Sequence, residues 1–443
     1  MKSLFSLLGA GIALTSFAAA QSPTNAWLTP TVAEVNAIYP DIESLYIDLH
    51  RNPELAFNEK QTAAKLAARV KALGYDVTTG VGGTGIVAIL RNGPGPTVML
   101  RTELDALPVA EKTGLPFASI VTVKNAAGET IPVMHACGHD IHMSAWAGTA
   151  RLMAEHKQQW HGTLILIGQP AEEGGGGALA MLKDGLFTRF PKPDFALSLH
   201  DDDTMPAGQI GYHAGAFRAM ADGVTITIYG RGGHAAMPHN TVDPVVLAAR
   251  IVLALQTIVS RENNPVEPVV ITTGSIHGGT QANIIPDEVK IQLSVRTYAQ
   301  ESRKRILAAI RRNAEGEAMA AGAPKPPLIE TRGGSETAVV YNDPALTARL
   351  ARALKKQMGD DSAIEMPAKM TSEDFAQYGL AGVPSALLHI GAVAPAKLAE
   401  ARRTGIPVPA PHSPEWAPDR EPTLKAGIRA ETTELLELFS GGR

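Results

Sequence analysis

Short apolar runs alternate with amphipathic stretches through most of the chain, and their spacing predicts the fold. Apolar positions recur at helical spacing between about residues 33 and 72. Runs of strand length follow at 85–90, 97–100, 163–167 and 195–199, separated by helical stretches. Strands that alternate with helices pack as a central sheet covered on both faces. We therefore expect an α/β fold with a mixed central sheet flanked by helices, and ligands at the strand ends along one edge of that sheet.

A second pattern interrupts the first near residue 221. It consists of a strand, a helix, two strands, a helix and a closing strand, at residues 224–229, 244–260, 269–275, 289–297, 302–320 and 328–331. This order is typical of a small α+β unit of the ferredoxin-like kind, inserted into a larger domain. We therefore predict two domains, a larger one built from residues 33–217 and 328–443 and a smaller one built from residues 218–327.

Composition narrows the class of protein. The chain is 45% hydrophobic and 19% charged, with a formal net charge of −4, which is typical of a soluble globular protein with enough apolar residues for a core. The sequence contains no run rich in lysine and arginine, so we expect no nucleic-acid partner.

The N-terminus predicts an export signal at residues 1–20. Lys2 provides a positive start, residues 4–17 are apolar, and Ala18-Ala19-Ala20 forms a cleavage site of small residues. An ordinary N-terminal helix is the alternative. No other segment approaches the ~20 apolar residues that a membrane helix needs. We therefore expect an exported protein, periplasmic or secreted, with no membrane contact after removal of the signal.

The candidate chemistry of the chain is concentrated around its only cysteine. Cys137 stands two residues before His139, and thiolate and imidazole both bind divalent transition metals. A lone cysteine cannot form an internal disulfide, and a small buried hydrophobe is the alternative reading of this residue. Other residues that bind metals occur in similar dense groups, at Glu172-Glu173, His200-Asp201 and His412. Together they indicate a metal-dependent hydrolase.

Eight motifs occur in a characteristic order along the chain. They are HRNPEL (50–55), RTELDALP (101–108), CGHD (137–140), QPAEEG (169–174), GRGGHAAMPH (230–239), NIIP (283–286), SEDF (372–375) and HSPE (412–415). By these motifs the chain resembles the dinuclear-metal peptidases of family M20, the aminoacylase and carboxypeptidase G type. Within that family it is most similar to the amidohydrolase branch of hippurate hydrolases and indole-acetyl-amino-acid hydrolases. Glu103 departs from the aspartate expected in this branch.

The resemblance implies a dinuclear metal centre. Its ligands would be Cys137, His139, Glu173, His200 and His412. Five protein donors can hold two divalent ions, with zinc or manganese favoured and cobalt also suitable. The resemblance further implies that Glu172 is the general base, and that Asp105 belongs to the catalytic set by orienting a ligand or that base. A loop or helix-capping carboxylate is the alternative for Glu172.

Two candidate residues lie in the smaller, inserted unit. The resemblance implies that His234 serves both catalysis and substrate binding by donating to the developing oxyanion, often across a dimer. Asn283 would bind a substrate carboxylate or the oxyanion. Arg296 could pair with a substrate carboxylate, although an arginine at a strand end is often only a surface charge. We therefore expect a homodimer in which the smaller unit is a lid and dimerisation domain.

The expected reaction is hydrolysis of the amide bond of an N-acyl or N-aroyl amino acid, which releases a carboxylic acid and a free amino acid. A dipeptidase or carboxypeptidase that acts on peptides is the first alternative. The second is an exported binding protein that retains the metal site without turnover, although a binding module needs no general base such as Glu172.

Overall fold

The computed structural model describes residues 27–174, 176–333 and 338–440. The export signal predicted at residues 1–20 lies outside them. Within the described residues the strands form one eight-stranded sheet, one four-stranded sheet and three two-stranded sheets.

The helices and strands follow the alternation expected from the sequence. The first part of the chain contains α1 (Val32–Arg51), α2 (Lys60–Ala72), β1 (Asp76–Val81), β2 (Gly85–Asn92), β3 (Thr97–Glu103), β4 (Thr122–Lys124), β5 (Thr130–Pro132), α3 (His139–Glu155), β6 (Gly162–Gln169), α4 (Gly177–Lys183), α5 (Leu186–Arg189), β7 (Phe195–Pro206), β8 (Ile210–Tyr212) and β9 (Gly215–Arg218). The middle part contains β10 (Met220–Tyr229), β11 (Gly233–His234), α6 (Pro244–Thr257), β12 (Val269–His277), β13 (Ile284–Ile285), β14 (Glu288–Thr297), α7 (Gln300–Ala320) and β15 (Leu328–Arg332). The last part contains β16 (Val340–Asn342), α8 (Pro344–Met358), β17 (Ala363–Glu365), α9 (Ala376–Leu380), β18 (Ser385–Val393), α10 (Pro395–Thr404) and α11 (Arg420–Ser440).

The eight-stranded sheet has the order β1-β2-β6-β3-β7-β18-β8-β17. Its centre is parallel, because β3 pairs in parallel with β6 and β7, and β7 pairs in parallel with β18. Its flanks contain antiparallel pairs, β1 with β2, β2 with β6, and β18 with β8. This mixed central sheet flanked by helices confirms the predicted fold class.

Both faces of the central sheet are covered, as alternate residues of β6 show. Leu164 and Leu166 join a core that includes residues of α1, α3 and α11, whereas Ile165 and Ile167 join the core on the other face with Met181 of α4. A strand in the middle of such a sheet is apolar throughout, and β18 is indeed buried at every residue. Polar side chains are therefore concentrated at the ends of the strands.

The four-stranded sheet has the order β12-β14-β10-β15, and all its neighbours are antiparallel. Buried and more exposed residues alternate along β14, because α6 and α7 cover only one face of the sheet. The closing strand predicted at 328–331 is β15, which pairs with β10. The sheet thus extends past residue 327, where the smaller predicted domain ends, and the domain boundaries themselves stay a prediction.

The expectation that no segment beyond the export signal approaches a membrane helix is wrong by length and composition, because one helix of the described residues is long and apolar enough. It is Pro244–Glu262, in which α6 continues through a π-helical turn. Leu247, Ile251 and Leu255 on one side of it are buried against the four-stranded sheet, whereas Leu253 is 71% exposed. A single such helix is weak evidence for a membrane span, because core helices of soluble proteins meet the same criterion.

Candidate metal centre

The predicted site residues converge at one edge of the central sheet. Asp105 follows β3, Glu172 and Glu173 follow β6, and His200 lies on β7. These three strands are parallel neighbours in the sheet, so their carboxyl ends lie side by side. The sheet topology, rather than proximity along the chain, therefore assembles the site.

A glycine at the start of α3 sets the positions of the cysteine and histidine in the central motif. Gly138 has a φ angle of +77°, a left-handed conformation that favours glycine. A Cβ atom there would lie 2.1 Å from Oδ2 of Asp201, so no larger residue fits. The residues on either side, Cys137 and His139, are both buried.

His139 is oriented by Asp105 and directs its other ring nitrogen towards two carboxylates. Its Nδ1 donates to the backbone oxygen of Asp105 at 2.7 Å, which leaves Nε2 as the ring nitrogen that can face a metal ion. Nε2 lies 4.0 Å from Oε2 of Glu172 and 4.0 Å from Oε1 of Glu173. Nε2 of His139 has no hydrogen-bond partner among the described residues. A buried polar atom without a partner is costly, and a cation between Nε2 and the two carboxylates would remove that cost.

His200 and Cys137 face each other across the same space. Nδ1 of His200 donates to the backbone oxygen of Asp201 at 2.8 Å, and Nε2 lies 3.6 Å from Sγ of Cys137. Burial, and then the charge of Arg218, lower the pKa of His200 well below its ordinary value, so the imidazole is neutral, as a metal ligand must be. Burial, and then the charge of Glu173, raise the pKa of the Cys137 thiol. A thiolate at this position therefore needs a cation beside it.

His412 reaches the site from the loop between α10 and α11. Its φ angle of +70° is rare for a residue other than glycine. Its backbone N–H donates to the oxygen of Ala136 at 2.7 Å, which fixes this loop to the central motif. Its Nε2 lies 3.1 Å from Oε1 of Glu173, and the side chain is 54% exposed, so it lies at the open side of the site.

The donor atoms form overlapping groups that fit a pair of divalent ions. In each group the atoms lie within 4.8 Å of one another, and three of the groups are Cys137 with His139 and His200, Cys137 with Glu173 and His412, and His139 with Glu172 and Glu173. Thiolate, imidazole and carboxylate are the ligands that zinc and related metals take. Because the groups share members, they suit two neighbouring ions better than one.

The Asp105 carboxylate holds the loop that carries both glutamates. Its Oδ1 accepts from the backbone N–H of Glu172 at 3.1 Å, and its Oδ2 accepts from that of Glu173 at 2.9 Å. Ala171 before them has a φ angle of +49°, so this loop is sharply bent. Asp105 therefore contacts His139 and both glutamates at once, and its role in catalysis stays a prediction.

Glu172 lies at the edge of the cavity, in a state that suits proton transfer. Burial, and then the charges of Glu373 and Glu173, raise its pKa well above its ordinary value. A carboxylate with a raised pKa can accept a proton and release it near neutral pH. The capping alternative does not fit, because α4 has Gly176 as its N-cap and lacks a side-chain cap bond.

A buried ionic network lies behind Glu172. The guanidinium of Arg101 contacts Glu103, lies 2.7 Å from Oε1 of Glu373 and 3.0 Å from Oδ1 of Asp374, and is fully buried. Glu103 also accepts from Nδ1 of His142 at 3.0 Å. Glu103 is thus a structural anchor in this network. Glu373 and Asp374 likewise support the site rather than cap α9, whose N-cap makes no side-chain bond.

The opening motif around His50 supports the central motif from the other side. Nδ1 of His50 lies 2.6 Å from Oδ2 of Asp140, and Nε2 lies 3.0 Å from Oε1 of Glu111. All three side chains are buried, so His50 links two carboxylates that are distant in sequence. The motif therefore contributes to holding α3, and with it His139, in place.

A cavity of about 460 Å³ extends from the predicted metal ligands towards a charged wall. Besides Cys137, Glu172, Glu173, His200 and His412, the cavity is lined by residues that sequence reasoning missed or set aside. Those with charged or ionisable side chains are Asp201, Asp203, Arg218, Arg296, Lys369 and His389. Arg218, Arg296, Lys369 and His389 come from separate segments and form no motif, so the chain offered no local signal for them. Asp201 and Asp203 lie on β7 with His200, and Asp201 belongs to the candidate group His200-Asp201 of the sequence.

His234 and Asn283 lie together, apart from this cavity. His234 on β11 pairs with Ile284 on β13, and the backbone N–H of Ala235 donates to the oxygen of Asn283 at 3.1 Å. Both residues are exposed, and neither is among the described residues that line the cavity with the metal ligands. Within one chain the structure thus brings the five predicted ligands, Glu172 and Asp105 together, but not these two.

Three comparisons relate this chain to known proteins. The family model described as Peptidase family M20/M25/M40 matches residues 99–401. Over 344 residues the chain is 36% identical to N-acetyl-L-cysteine deacetylase of Bacillus subtilis, which covers 77% of this chain and 78% of the relative. Over 277 residues it is 38% identical to hippurate hydrolase of Campylobacter jejuni, which covers 62% and 68%.

A solved structure has the same architecture. It is a Bacillus subtilis protein described as a dinuclear metal binding peptidase from the M20 family. It is 26% identical to this chain, with a TM-score of 0.70, and the match covers 91% of this chain and 99% of that one.

Proposed function

Because the chain belongs to peptidase family M20/M25/M40, we propose that it is a metal-dependent amidohydrolase that cleaves the amide bond of N-acyl amino acids. The resemblance expected from the eight motifs is confirmed, and so is a centre for two divalent metal ions. Its relatives include a deacetylase of an N-acetyl amino acid and a hippurate hydrolase, as the amidohydrolase branch requires. The observation that carries the proposal is the convergence of the five predicted ligands beside Glu172.

The ligand set is Cys137, His139, Glu173, His200 and His412, in the overlapping groups described above. Two bound divalent ions would polarise the scissile carbonyl and lower the pKa of a water molecule. Thiolate and imidazole favour zinc, whereas carboxylate also admits manganese, and cobalt can replace either.

Glu172 moves the proton. It takes a proton from the attacking water and delivers it to the leaving nitrogen, so the amine departs neutral. Its carboxylate lies 4.0 Å from Nε2 of His139, on the cavity side of the ligands. Asp105 keeps this glutamate in place through the backbone N–H bonds of the loop.

Arg296 binds the carboxylate of the amino-acid part of the substrate. Its Nη1 donates to Oγ of Ser372 at 3.1 Å and its Nε to Oγ of Ser294 at 3.2 Å. Arg296 forms no ion pair with a carboxylate in the part of the chain that the structure describes. Burial lowers its pKa. A half-buried guanidinium that lines a cavity without a carboxylate partner suits an anionic ligand group.

His234 and Asn283 act in the site of a second subunit. Both are exposed and lie together, as residues supplied to a partner would be. The outer side of α6 exposes Val246 at 57% and Leu253 at 71%, and β12 is an edge strand of its sheet. An apolar helix face and an open edge are features of a homodimer interface. In such a dimer His234 donates to the developing oxyanion.

Subunit mixing tests this arrangement. Glu172→Gln and His234→Ala each inactivate the enzyme, but a heterodimer of the two contains one intact site. Random pairing therefore restores about a quarter of the wild-type activity if His234 acts across the dimer. No recovery, with dimers shown by light scattering, would contradict action across the dimer.

A hydrolysis panel tests the proposed function. Protein beginning at Gln21, after the predicted signal, is stripped with a chelator and reloaded with zinc, manganese or cobalt. We expect metal to restore cleavage of N-acetyl and N-benzoyl amino acids over dipeptides. Cleavage of dipeptides alone would indicate a peptidase, and no turnover by a metal-loaded protein would indicate a binding role. Fractionation of cells that express the full chain tests the proposed export to the periplasm or medium.

A further inference from the structure

Three consecutive aspartates follow His200 on β7, and each faces a different environment. Asp201 accepts from Nε1 of Trp416 at 3.1 Å. Asp202 has its Oδ2 2.6 Å from Nδ1 of His389. Asp201 and Asp203 both line the cavity that also contains the predicted metal ligands, but Asp201 is buried whereas Asp203 is partly exposed. Asp203 is therefore the more accessible of the two to a substrate.

The charge of Asp203 is poorly matched within the protein. In the described residues its one charged partner is Lys369, whose Nζ lies 3.7 Å from Oδ1. That same Nζ lies 2.5 Å from Oδ2 of Asp202, so the lysine is matched mainly by Asp202.

Asp202, Asp203 and Lys369 together carry one more negative charge than positive charge. Two aspartates, Asp202 and Asp203, surround the single lysine, Lys369. Burial raises the pKa of Asp203, and the charge of Lys369 only partly opposes that rise. A cation placed in the cavity beside Asp203 would supply the missing positive charge. Across the cavity wall, Arg296 offers a guanidinium for a carboxylate.

The Asp203 carboxylate and the Arg296 guanidinium could each bind a charged group on the amino-acid part of the substrate. Building on the proposed function, we propose that Asp203 is a specificity-determining residue that binds the side-chain ammonium of a basic amino acid, while Arg296 holds its carboxylate. The favoured substrates are then N-acyl conjugates of lysine-like amino acids. A side-chain ammonium donates to a carboxylate in a charge-assisted hydrogen bond, which discriminates strongly against an apolar side chain of equal length.

The other cations of the wall do not favour an acidic side chain. Lys369 is matched by Asp202, and Nη1 of Arg218 lies 3.7 Å from Oε2 of Glu373. Nη2 of Arg218 also lies 3.0 Å from Nε2 of His389. A second carboxylate would have to approach Asp203 itself, where like charges repel.

The test compares three conjugates that carry the acyl group best cleaved in the panel above, attached to the α-nitrogen of lysine, norleucine or glutamate. Norleucine matches the lysine side chain without its ammonium. We expect wild-type kcat/KM to be at least about tenfold higher for lysine than for norleucine. In Asp203→Asn the lysine conjugate loses about 10- to 100-fold, whereas the norleucine conjugate stays within about twofold.

Asp361→Asn is the matched control, because Asp361 is exposed and far from β7 in sequence. This variant should keep the wild-type ratio of kcat/KM for the lysine conjugate to kcat/KM for the norleucine conjugate. A wild-type preference for norleucine or glutamate would overturn the assignment of Asp203. So would an equal loss for all three conjugates in Asp203→Asn, which would mean a structural role. If the norleucine conjugate is cleaved as well as the lysine conjugate, this inference alone is refuted. If no acyl conjugate in the panel is cleaved, the proposed function is refuted.

Discussion

The ion pairs behind the cavity and those on the helices of the four-stranded sheet have similar lengths but different surroundings. Nη2 of Arg101 lies 2.7 Å from Glu373, and both side chains are fully buried. Nη2 of Arg250 on α6 lies 2.6 Å from Glu317 on α7, with the two side chains 44% and 28% exposed. Solvent screens the second pair but not the first. Burial, rather than distance, therefore decides which of these ion pairs is more costly to break.

The difference follows from what each region does. The central sheet gathers carboxylates at one edge, where they face metal ligands, and Arg101 keeps several of them in one arrangement. The smaller sheet has an apolar core, and most ion pairs of its helices are partly exposed, the buried Asp222 with Arg303 being an exception. Substitutions in the two regions should therefore differ in size and in kind.

The largest effect is expected at Glu172, on the open side of the buried charges. Glu172→Gln keeps the shape of the side chain but cannot accept a proton. We expect kcat to fall about 10²- to 10⁴-fold, while the metal content measured by elemental analysis stays at the wild-type value. Unchanged kcat would remove Glu172 from the role of general base.

Next in size is the stability effect of Arg101. Arg101→Met leaves Glu103, Glu373 and Asp374 without their shared cation. The free energy of unfolding should fall by about 3–5 kcal/mol in denaturant titration. Arg101→Lys keeps a positive charge but loses the planar guanidinium, so its free energy of unfolding should lie between those of Arg101→Met and the wild type. A loss below about 1 kcal/mol in the Met variant would show that burial does not separate the two regions.

A buried acid on α11 should make stability depend on pH. Glu431 accepts from Oγ1 of Thr149 at 2.8 Å, and burial raises its pKa from 4.5 to about 8. The folded state thus prefers the protonated acid, so this contribution is complete below the unfolded pKa and is lost as the pH rises through about 8.

Glu431→Gln cannot ionise and tests that contribution. Between about pH 5 and pH 9, the variant should lose less unfolding free energy than the wild type, by on the order of 3 kcal/mol. Glu365→Gln, at an exposed position, should follow the wild type. Parallel pH profiles of wild type and Glu431→Gln would contradict the raised pKa.

The smallest effect is expected in the helices of the four-stranded sheet. Arg250→Ala removes the partly exposed pair with Glu317. The free energy of unfolding should fall by about 0.2–1 kcal/mol, and by less still in high salt. A loss as large as that of Arg101→Met would mean that the comparison between the two regions is wrong.

Much of the fold could be predicted because its signals are local. The apolar run at 85–90 is β2, and the run at 163–167 lies within β6. The strand at 328–331 is β15. The metal ligands could be proposed because the eight motifs, among them CGHD (137–140) and QPAEEG (169–174), resemble those of peptidase family M20.

The far wall of the cavity could not be predicted in this way. Asp203, Arg218, Arg296 and Lys369 come from β7, β9, β14 and the loop before α9, and each is an ordinary charged residue in its own segment. The role of Glu103 was also hidden, because its burial between Arg101 and His142 depends on how β3 packs against α3.

The sequence by itself determined the alternation of strands and helices, the family and the residue types of the metal centre, because periodicity and motifs are properties of neighbouring residues. Only the tertiary structure decided which charges are left unmatched around the substrate. It placed Lys369 nearer to Asp202 than to Asp203, and it left Arg296 without a carboxylate partner in the part of the chain that it describes. Such balances depend on distances and burial between segments far apart in the chain, and electrostatic energies follow those distances rather than the order of residues.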